Sequence, residues 1–229
     1  MYYAPGRAIE ARAEAVTDAL WKTYRWMSLG LATTGAVALA VASSRTALEL
    51  ILGNRILFFV LLLAQLGVVV SFGAAARRAS TAVVAGMFFA YSALTGVTFS
   101  TLFLVYTSAS IGGVFVITAG AFAALSAVGW FTKKDLGVVG RFALFALFGL
   151  ILASLVNFFL ASPALSWLVC AVGVLVFGAL TAYDTQKLKA MFAAGDASGN
   201  LPLVGALMLY LDFVNMFLFL LRLFGRERR

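Results

Sequence analysis

Seven apolar stretches run along the chain, at about 26–43, 56–76, 80–105, 110–131, 142–161, 163–183 and 202–224. Each is close to the roughly 20 residues that a helix needs to cross a hydrocarbon core. Polar and charged residues collect in the short connections, and no connection is long enough for a soluble domain. The pattern predicts an all-α polytopic membrane protein: a mixed-charge N-terminal segment, 1–25, on the cytoplasmic side, then a seven-transmembrane-helix domain over 26–225. Ala-Val-Ala-Ser-Ser at 40–44 resembles a signal-peptidase site. The region before the first stretch is long and holds Glu10, Glu14 and Asp18, unlike a short basic leader, so the first stretch reads as a retained helix. The sixth helix is expected to run on past Lys187 and Lys189 to about Phe192, because no breaker intervenes. Ala-Ala-Gly-Asp-Ala-Ser-Gly-Asn-Leu at 193–201 is a loop by composition. Asn200 is placed to cap the last helix, and Pro202 suits its first turn.

Composition agrees with the pattern. Hydrophobic residues are 63% of the chain and charged residues 11%, with a mean hydropathy of +1.03. A soluble domain carries roughly 25% charged residues, so that class is excluded. Glycine recurs within the stretches, and small side chains let helices approach closely in lipid.

The net charge of +8 points first to topology and anionic headgroups. With the N-terminus inside, the inner side receives Arg7, Arg12, Lys22, Arg25, Arg77, Arg78, Lys133, Lys134, Arg141, Lys187 and Lys189. The outer loops receive Arg45 and Arg55, so the balance is eleven against two. The tail residues Arg222, Arg226, Arg228 and Arg229 oppose this balance if seven full crossings place them outside. Either the last helix crosses against the rule, or it re-enters. No aromatic-interleaved basic patch occurs, so nucleic acid is not an expected partner.

The polar residues narrow the chemistry. The chain has no histidine, which removes His-based zinc sites, Ser-His-Asp triads and histidine proton relays. Cys170 is the single cysteine; it lies in an apolar stretch and reads as a small hydrophobe with nothing beside it to activate the thiol. No nucleophile–base set is present, so no enzyme and no bound cofactor are expected. Seven of the nine acids (Glu10, Glu14, Asp18, Glu49, Asp135, Asp196 and Glu227) lie in termini or loops. The other two, Asp184 and Asp212, lie in or at the edge of apolar stretches six and seven. A carboxylate there is costly and normally faces a cavity or a partner. Asp212 falls about 16 Å along its helix at 1.5 Å per residue, near the middle of the bilayer. Sequential helices with a short loop are antiparallel neighbours, so the two carboxylates can meet and share a proton. Such a pair would sense pH without histidine. Carboxylate oxygens also suit Ca²⁺, which takes six to eight oxygens in a tight site. Two aspartates with the amides of Asn157 or Asn215 fall short of that number, so a weak site along a path is expected. Asn215 follows Asp212 by three residues, on one helix face. The plainer alternative is packing, with Arg78, Thr181 or Tyr210 bonding the aspartates.

The stretches Ala-Leu-Thr-Ala-Tyr-Asp-Thr-Gln-Lys-Leu-Lys (179–189) and Leu-Tyr-Leu-Asp-Phe-Val-Asn-Met-Phe-Leu-Phe-Leu-Leu-Arg-Leu-Phe-Gly (209–225) resemble the signatures of the Bax inhibitor-1, or transmembrane Bax inhibitor motif, family. Ser-Ala-Leu-Thr-Gly-Val-Thr-Phe-Ser (92–100), Thr-Lys-Lys-Asp-Leu (132–136) and Leu-Ala-Ser-Leu-Val-Asn-Phe-Phe-Leu (152–160) are similar too. The resemblance runs from about Tyr24 to Gly225 and is closest to the bacterial inner-membrane branch. It implies a seven-helix bundle with the C-terminal helix central, and a pH-sensitive Ca²⁺ leak. It implies that Asp184 and Asp212 form the sensing pair and that an Arg ending the second span, Arg78 with Arg77 adjacent, latches the closed state. Some members are linked instead to regulating a membrane-bound protease. Two functions therefore follow: a proton-gated cation leak, whose partners are the bilayer, Ca²⁺ and protons, or a non-channel regulator that binds a membrane protease.

Overall fold

The computed structural model describes residues 5–195 and 199–228; Asp196 and Arg229 lie outside these. The described residues form helices throughout. They are α1 (Pro5–Ala42), α2 (Arg45–Gly53), α3 (Arg55–Arg78), α4 (Thr81–Phe99), α5 (Leu102–Val105), α6 (Ser108–Phe131), α7 (Gly137–Leu160), α8 (Pro163–Ala193) and α9 (Leu201–Phe224). Seven segments are long and apolar enough to cross a bilayer: Glu10–Ala42, Arg55–Arg78, Thr81–Val105, Ser108–Phe131, Gly137–Leu160, Pro163–Ala193 and Leu201–Phe224. The chain is an integral, multi-pass, all-α membrane protein. Of the seven, α9 is the most buried, with 67% of its apolar window inside the protein.

Helix starts follow local polar chemistry. Ser44 Oγ accepts from the Ala47 amide at 3.3 Å and opens α2. Asn54 Oδ1 accepts from Leu57 N at 3.0 Å and opens α3, and Thr107 Oγ1 accepts from Ser110 N at 3.3 Å at the start of α6. Each satisfies an amide that the first turn leaves without a helical acceptor. The short α2 was not expected; it carries an exposed Arg45–Glu49 pair at 2.8 Å, one turn apart. From Pro5 on, the mixed-charge N-terminal segment and the first span form one continuous helix, α1. As expected, α8 outruns its apolar stretch and ends at Ala193.

The chain divides into two compact units, and the division passes through α8 and α9. The first joins the chain up to Val105 with Leu188–Leu207. In it α4 packs against both α1 and α3. Thr34 Oγ1 donates across to the Ser92 carbonyl at 2.9 Å, and the helices are so close that a Cβ on Gly96 would stand 2.7 Å from the Thr34 carbonyl oxygen. Arg12 of α1 donates through Nε, at 3.0 Å, and through Nη2 to the Ala193 carbonyl, satisfying an acceptor at the end of α8.

Asn200 corrects an expectation. Its side-chain oxygen accepts no hydrogen bond among the described residues and does not cap α9. Instead its buried amide donates to the Ala76 and Ala79 carbonyls, both at 3.0 Å. The residue before α9 therefore closes the end of α3. The physical reason is that the last carbonyls of α3 need donors and Asn200 is carried against them, while the backbone carbonyl of Asn200 receives the amides of Leu203 and Val204.

The second unit joins Tyr106–Lys187 with Met208–Arg229. It contains α6, α7, most of α8 and most of α9. At one end, the tail beyond α9 lies against the chain entering α6. Thr107 N donates to Arg226 O at 3.1 Å, Arg226 N donates to Ser110 Oγ at 2.9 Å, and Tyr106 pairs with Glu227. Burial pushes the Tyr106 phenol above its ordinary range, and Arg222 offsets part of this. At the other end, Gln186 of α8 holds the 132–136 turn: its Oε1 accepts from Leu136 N at 2.8 Å and its Nε2 donates to Lys134 O at 2.9 Å. Two stretches that carry the family resemblance, one ending α6 and one on α8, are thus joined by a single side chain.

Candidate functional site

The site is built on α8 and α9 of the second unit, with α6 and α7 against them. The helices come together where the sequence supplies no side chain. A Cβ on Gly129 of α6 would collide with the Ala182 carbonyl and reach 3.0 Å from Thr185 Cβ. A Cβ on Gly140 of α7 would collide with the Tyr183 ring. Ala182, Tyr183 and Thr185 are the immediate neighbours of Asp184. The backbone that carries Asp184 is therefore gripped from two sides by close helix contact, the usual means of association in lipid. On α9, Phe213 sets the position of Asp212: its ring lies 5.3 Å from Phe115 and 5.5 Å from Phe122. Further along, Phe219 fits over Gly173, where a Cβ would stand 2.6 Å from the ring, and stacks on Phe177 at 5.9 Å.

Asp212 is 4% exposed, and its Oδ2 has no hydrogen-bond partner among the described residues. Asp184 is half-buried. Among the described residues, the charge of Asp184 bears on Asp212, and Lys187, exposed and 5.8 Å over the Tyr183 ring, bears on Asp184. The two expected carboxylates are thus brought together as electrostatic neighbours. Hydroxyl side chains are buried on the same helices: Thr181 and Thr185 on α8, and Thr118 and Ser126 on α6. The threonines at 118 and 181 spend their protons on their own helices, bonding Val114 O and Phe177 O at 2.8 Å.

The supporting residues separate. Asn215 is at hand, half-buried one turn beyond Asp212, with its amide donating to Leu211 O at 2.8 Å. Asn157 is not. Its Nδ2 donates to Ser166 Oγ at 2.6 Å and its Oδ1 accepts from Ser162 N at 3.0 Å, bracing the turn from α7 to α8. Asn157 and Ser166 each lie 17 residues from the Gly140–Tyr183 contact along their own helix, about 25 Å along the axis at 1.5 Å per residue. Arg78 is the exposed last residue of α3, in the first unit. Cys170 is buried as expected, but Arg222 stands beside its thiol.

Two carboxylates with one vacant oxygen can hold a proton between them or face a hard cation. Among the described residues, no group of three or more acids and cysteines gathers into a closed metal cage. Sequence reasoning missed Gln186, Gly129, Gly140 and Ser126. The first lies inside a stretch already singled out; the others look like ordinary small residues until their neighbours are known.

The family described as inhibitor of apoptosis-promoting Bax1 matches residues 16–229. The chain is similar to the inner membrane protein YbhL of Escherichia coli K12, 49% identical over 212 residues that cover 90% of this chain and 91% of that one. It is similar to a protein of Deinococcus radiodurans, 43% identical over 90% of this chain and 89% of that one. It is also similar to one of Borreliella burgdorferi, 38% identical over 91% and 92%.

Proposed function

Because the chain belongs to the Bax inhibitor-1 family, we propose that it is a pH-sensitive cation leak, with Ca²⁺ as the conducted ion and the Asp184–Asp212 pair as its proton sensor. The inner-membrane relative supports placing it in a bacterial inner membrane, and the Lys and Arg distribution favours an inside N-terminus. The observation that carries the reading is Asp212: a carboxylate 4% exposed, with one oxygen unpartnered and a second carboxylate, Asp184, within electrostatic reach. A packing role favours satisfied oxygens, because an unmade buried hydrogen bond costs about 1–3 kcal/mol. A conducting role accepts that cost, since the free oxygen is what a passing ion meets. Two adjacent carboxylates in a water-poor interior do not ionise together easily. Proton loss places like charges side by side, and they part or recruit a cation. The pair is thereby both sensor and ion contact, with no histidine required.

The test is Ca²⁺ flux into liposomes holding the purified protein, stepped in pH. Asp184→Asn and Asp212→Asn flatten the pH dependence, because an amide cannot share the titrating proton. Unchanged profiles in both variants rule out the sensor. The latch assigned to Arg78 is read in the same assay: Arg78→Gln raises basal flux and Arg77→Gln does not. Flux no greater than that of empty liposomes removes the channel and leaves a non-conducting regulator, such as one that binds a membrane protease.

A further inference from the structure

Three buried side-chain atoms lack a hydrogen-bond partner among the described residues: Asn200 Oδ1, Asp212 Oδ2 and Ser126 Oγ. The first is the spare oxygen of an amide already spent on α3. The other two belong to the second unit and lie on helices that touch.

Ser126 is 6% exposed. A serine in an apolar helix normally bonds the carbonyl one turn back, as Ser154 does to Leu150 O at 2.7 Å and Ser71 to Gly67 O at 2.7 Å. Ser126 does not. Its position on α6 is bracketed by two contacts already described. One turn earlier, Phe122 packs on Phe213, the neighbour of Asp212. Three residues later, Gly129 meets Ala182 and Thr185, on either side of Asp184. Residues 122, 126 and 129 share one face of a helix, so Ser126 stands on the α6 face between its contact with the segment carrying Asp212 and its contact with the segment carrying Asp184. Buried oxygens without protein partners are satisfied by water or by an ion. A hydroxyl oxygen together with carboxylates is hard-cation chemistry, and ions that stay partly hydrated need few protein oxygens.

We propose that Ser126 supplies a third oxygen to the Asp184–Asp212 site, where it receives a partly hydrated hard cation in transit. This rests on the transport reading and adds a third helix to it. The aspartates set the charge and its response to protons. Ser126, which does not titrate, replaces one water of the ion at the step past Asp212.

The role separates from the sensor in experiment. In the liposome assay Ser126→Ala lowers Ca²⁺ flux about tenfold at every pH and keeps the shape of the pH profile; Ser126→Thr, which keeps the hydroxyl, restores most of the flux. Wild-type flux in Ser126→Ala overturns the proposal while leaving the sensor intact. A second measurement needs no flux. In a Cys170→Ala background, Ser126→Cys in nanodiscs reacts with a small cationic thiosulfonate, and millimolar Ca²⁺ slows the reaction. Val114→Cys, buried on the same helix, stays unreacted. If the protein conducts nothing, the transport reading fails and the thiol measurement alone decides. A Ser126→Cys variant that is unreactive, or indifferent to Ca²⁺, overturns the proposal; one that reacts and is protected supports it.

Discussion

Asn200 shows how one side chain can serve a neighbour rather than its own helix. Its two donated bonds, both 3.0 Å, hold the last turn of α3 from a buried position. Bonds of this kind contribute about 1 kcal/mol each, so Asn200→Ala is expected to cost about 1–3 kcal/mol. Asn200→Asp costs more at pH 8, since it turns a carboxylate towards two carbonyl oxygens with no donor to answer it. Thermal unfolding in detergent should therefore rank wild type above Asn200→Ala and Asn200→Asp lowest; an aspartate variant as stable as wild type contradicts the contact. The sequence marks Asn200 as a capping type but not which helix it caps, because a cap is chosen by the backbone that arrives beside it. Asp184 and Asp212 were legible for the opposite reason. A carboxylate in an apolar stretch stands out by its cost alone, whatever lies around it. Asn157 failed on distance: an amide in a span looks equally suited to a site or to a turn until the register of α7 on α8 is known. Cys170 was legible as buried, yet its neighbour Arg222 comes from a helix some 50 positions away in sequence, which local reading does not reach.

At the level of elements, hydropathy located all seven spans, because each had to be about 20 apolar residues long. The short helices α2 and α5 escaped because nine and four residues carry no membrane-length signal. Helix contact was legible only as a surplus of glycine. The structure sorts these glycines into those that meet a neighbour and those that meet nothing. Gly129 and Gly140 meet α8 on either side of Asp184, whereas Gly149 of α7 has no neighbour within 4 Å of a built Cβ. Gly129→Ala and Gly140→Ala force α6 or α7 away from the Asp184 segment. Overpacking of this kind costs about 1–3 kcal/mol, and both variants should unfold earlier and show altered flux. Gly149→Ala should lie within about 1 kcal/mol of wild type, since the added methyl finds open space and alanine favours the helix. Equal behaviour of all three variants would show that α8 is not gripped at this point.

For the whole molecule, the open issue raised by the sequence is where the basic tail lies. The eleven-to-two distribution of Lys and Arg predicts an inside N-terminus, while Arg222, Arg226 and Arg228 pull the C-terminus the same way. In the structure α9 is an uninterrupted helix of 24 residues with no re-entrant break. Its tail is bonded to residues 107 and 110 at the start of α6, the end opposite the 132–136 turn that follows that same helix. The connection before α6 follows three spans, so three full crossings would put it, and the tail bonded to it, on the side opposite the N-terminus. Seven full crossings require the same result. The first helices dominate orientation, and the Arg226 backbone is bonded to the connection before α6, so with an inside N-terminus the tail should cross against its own charge. Single cysteines introduced as Glu14→Cys and Glu227→Cys in a Cys170→Ala background, probed with a membrane-impermeant maleimide on intact spheroplasts, read this directly. Glu227→Cys is labelled at once and Glu14→Cys only after permeabilisation. Labelling of both from one side would mean an even number of crossings, and would separate the tail from the start of α6.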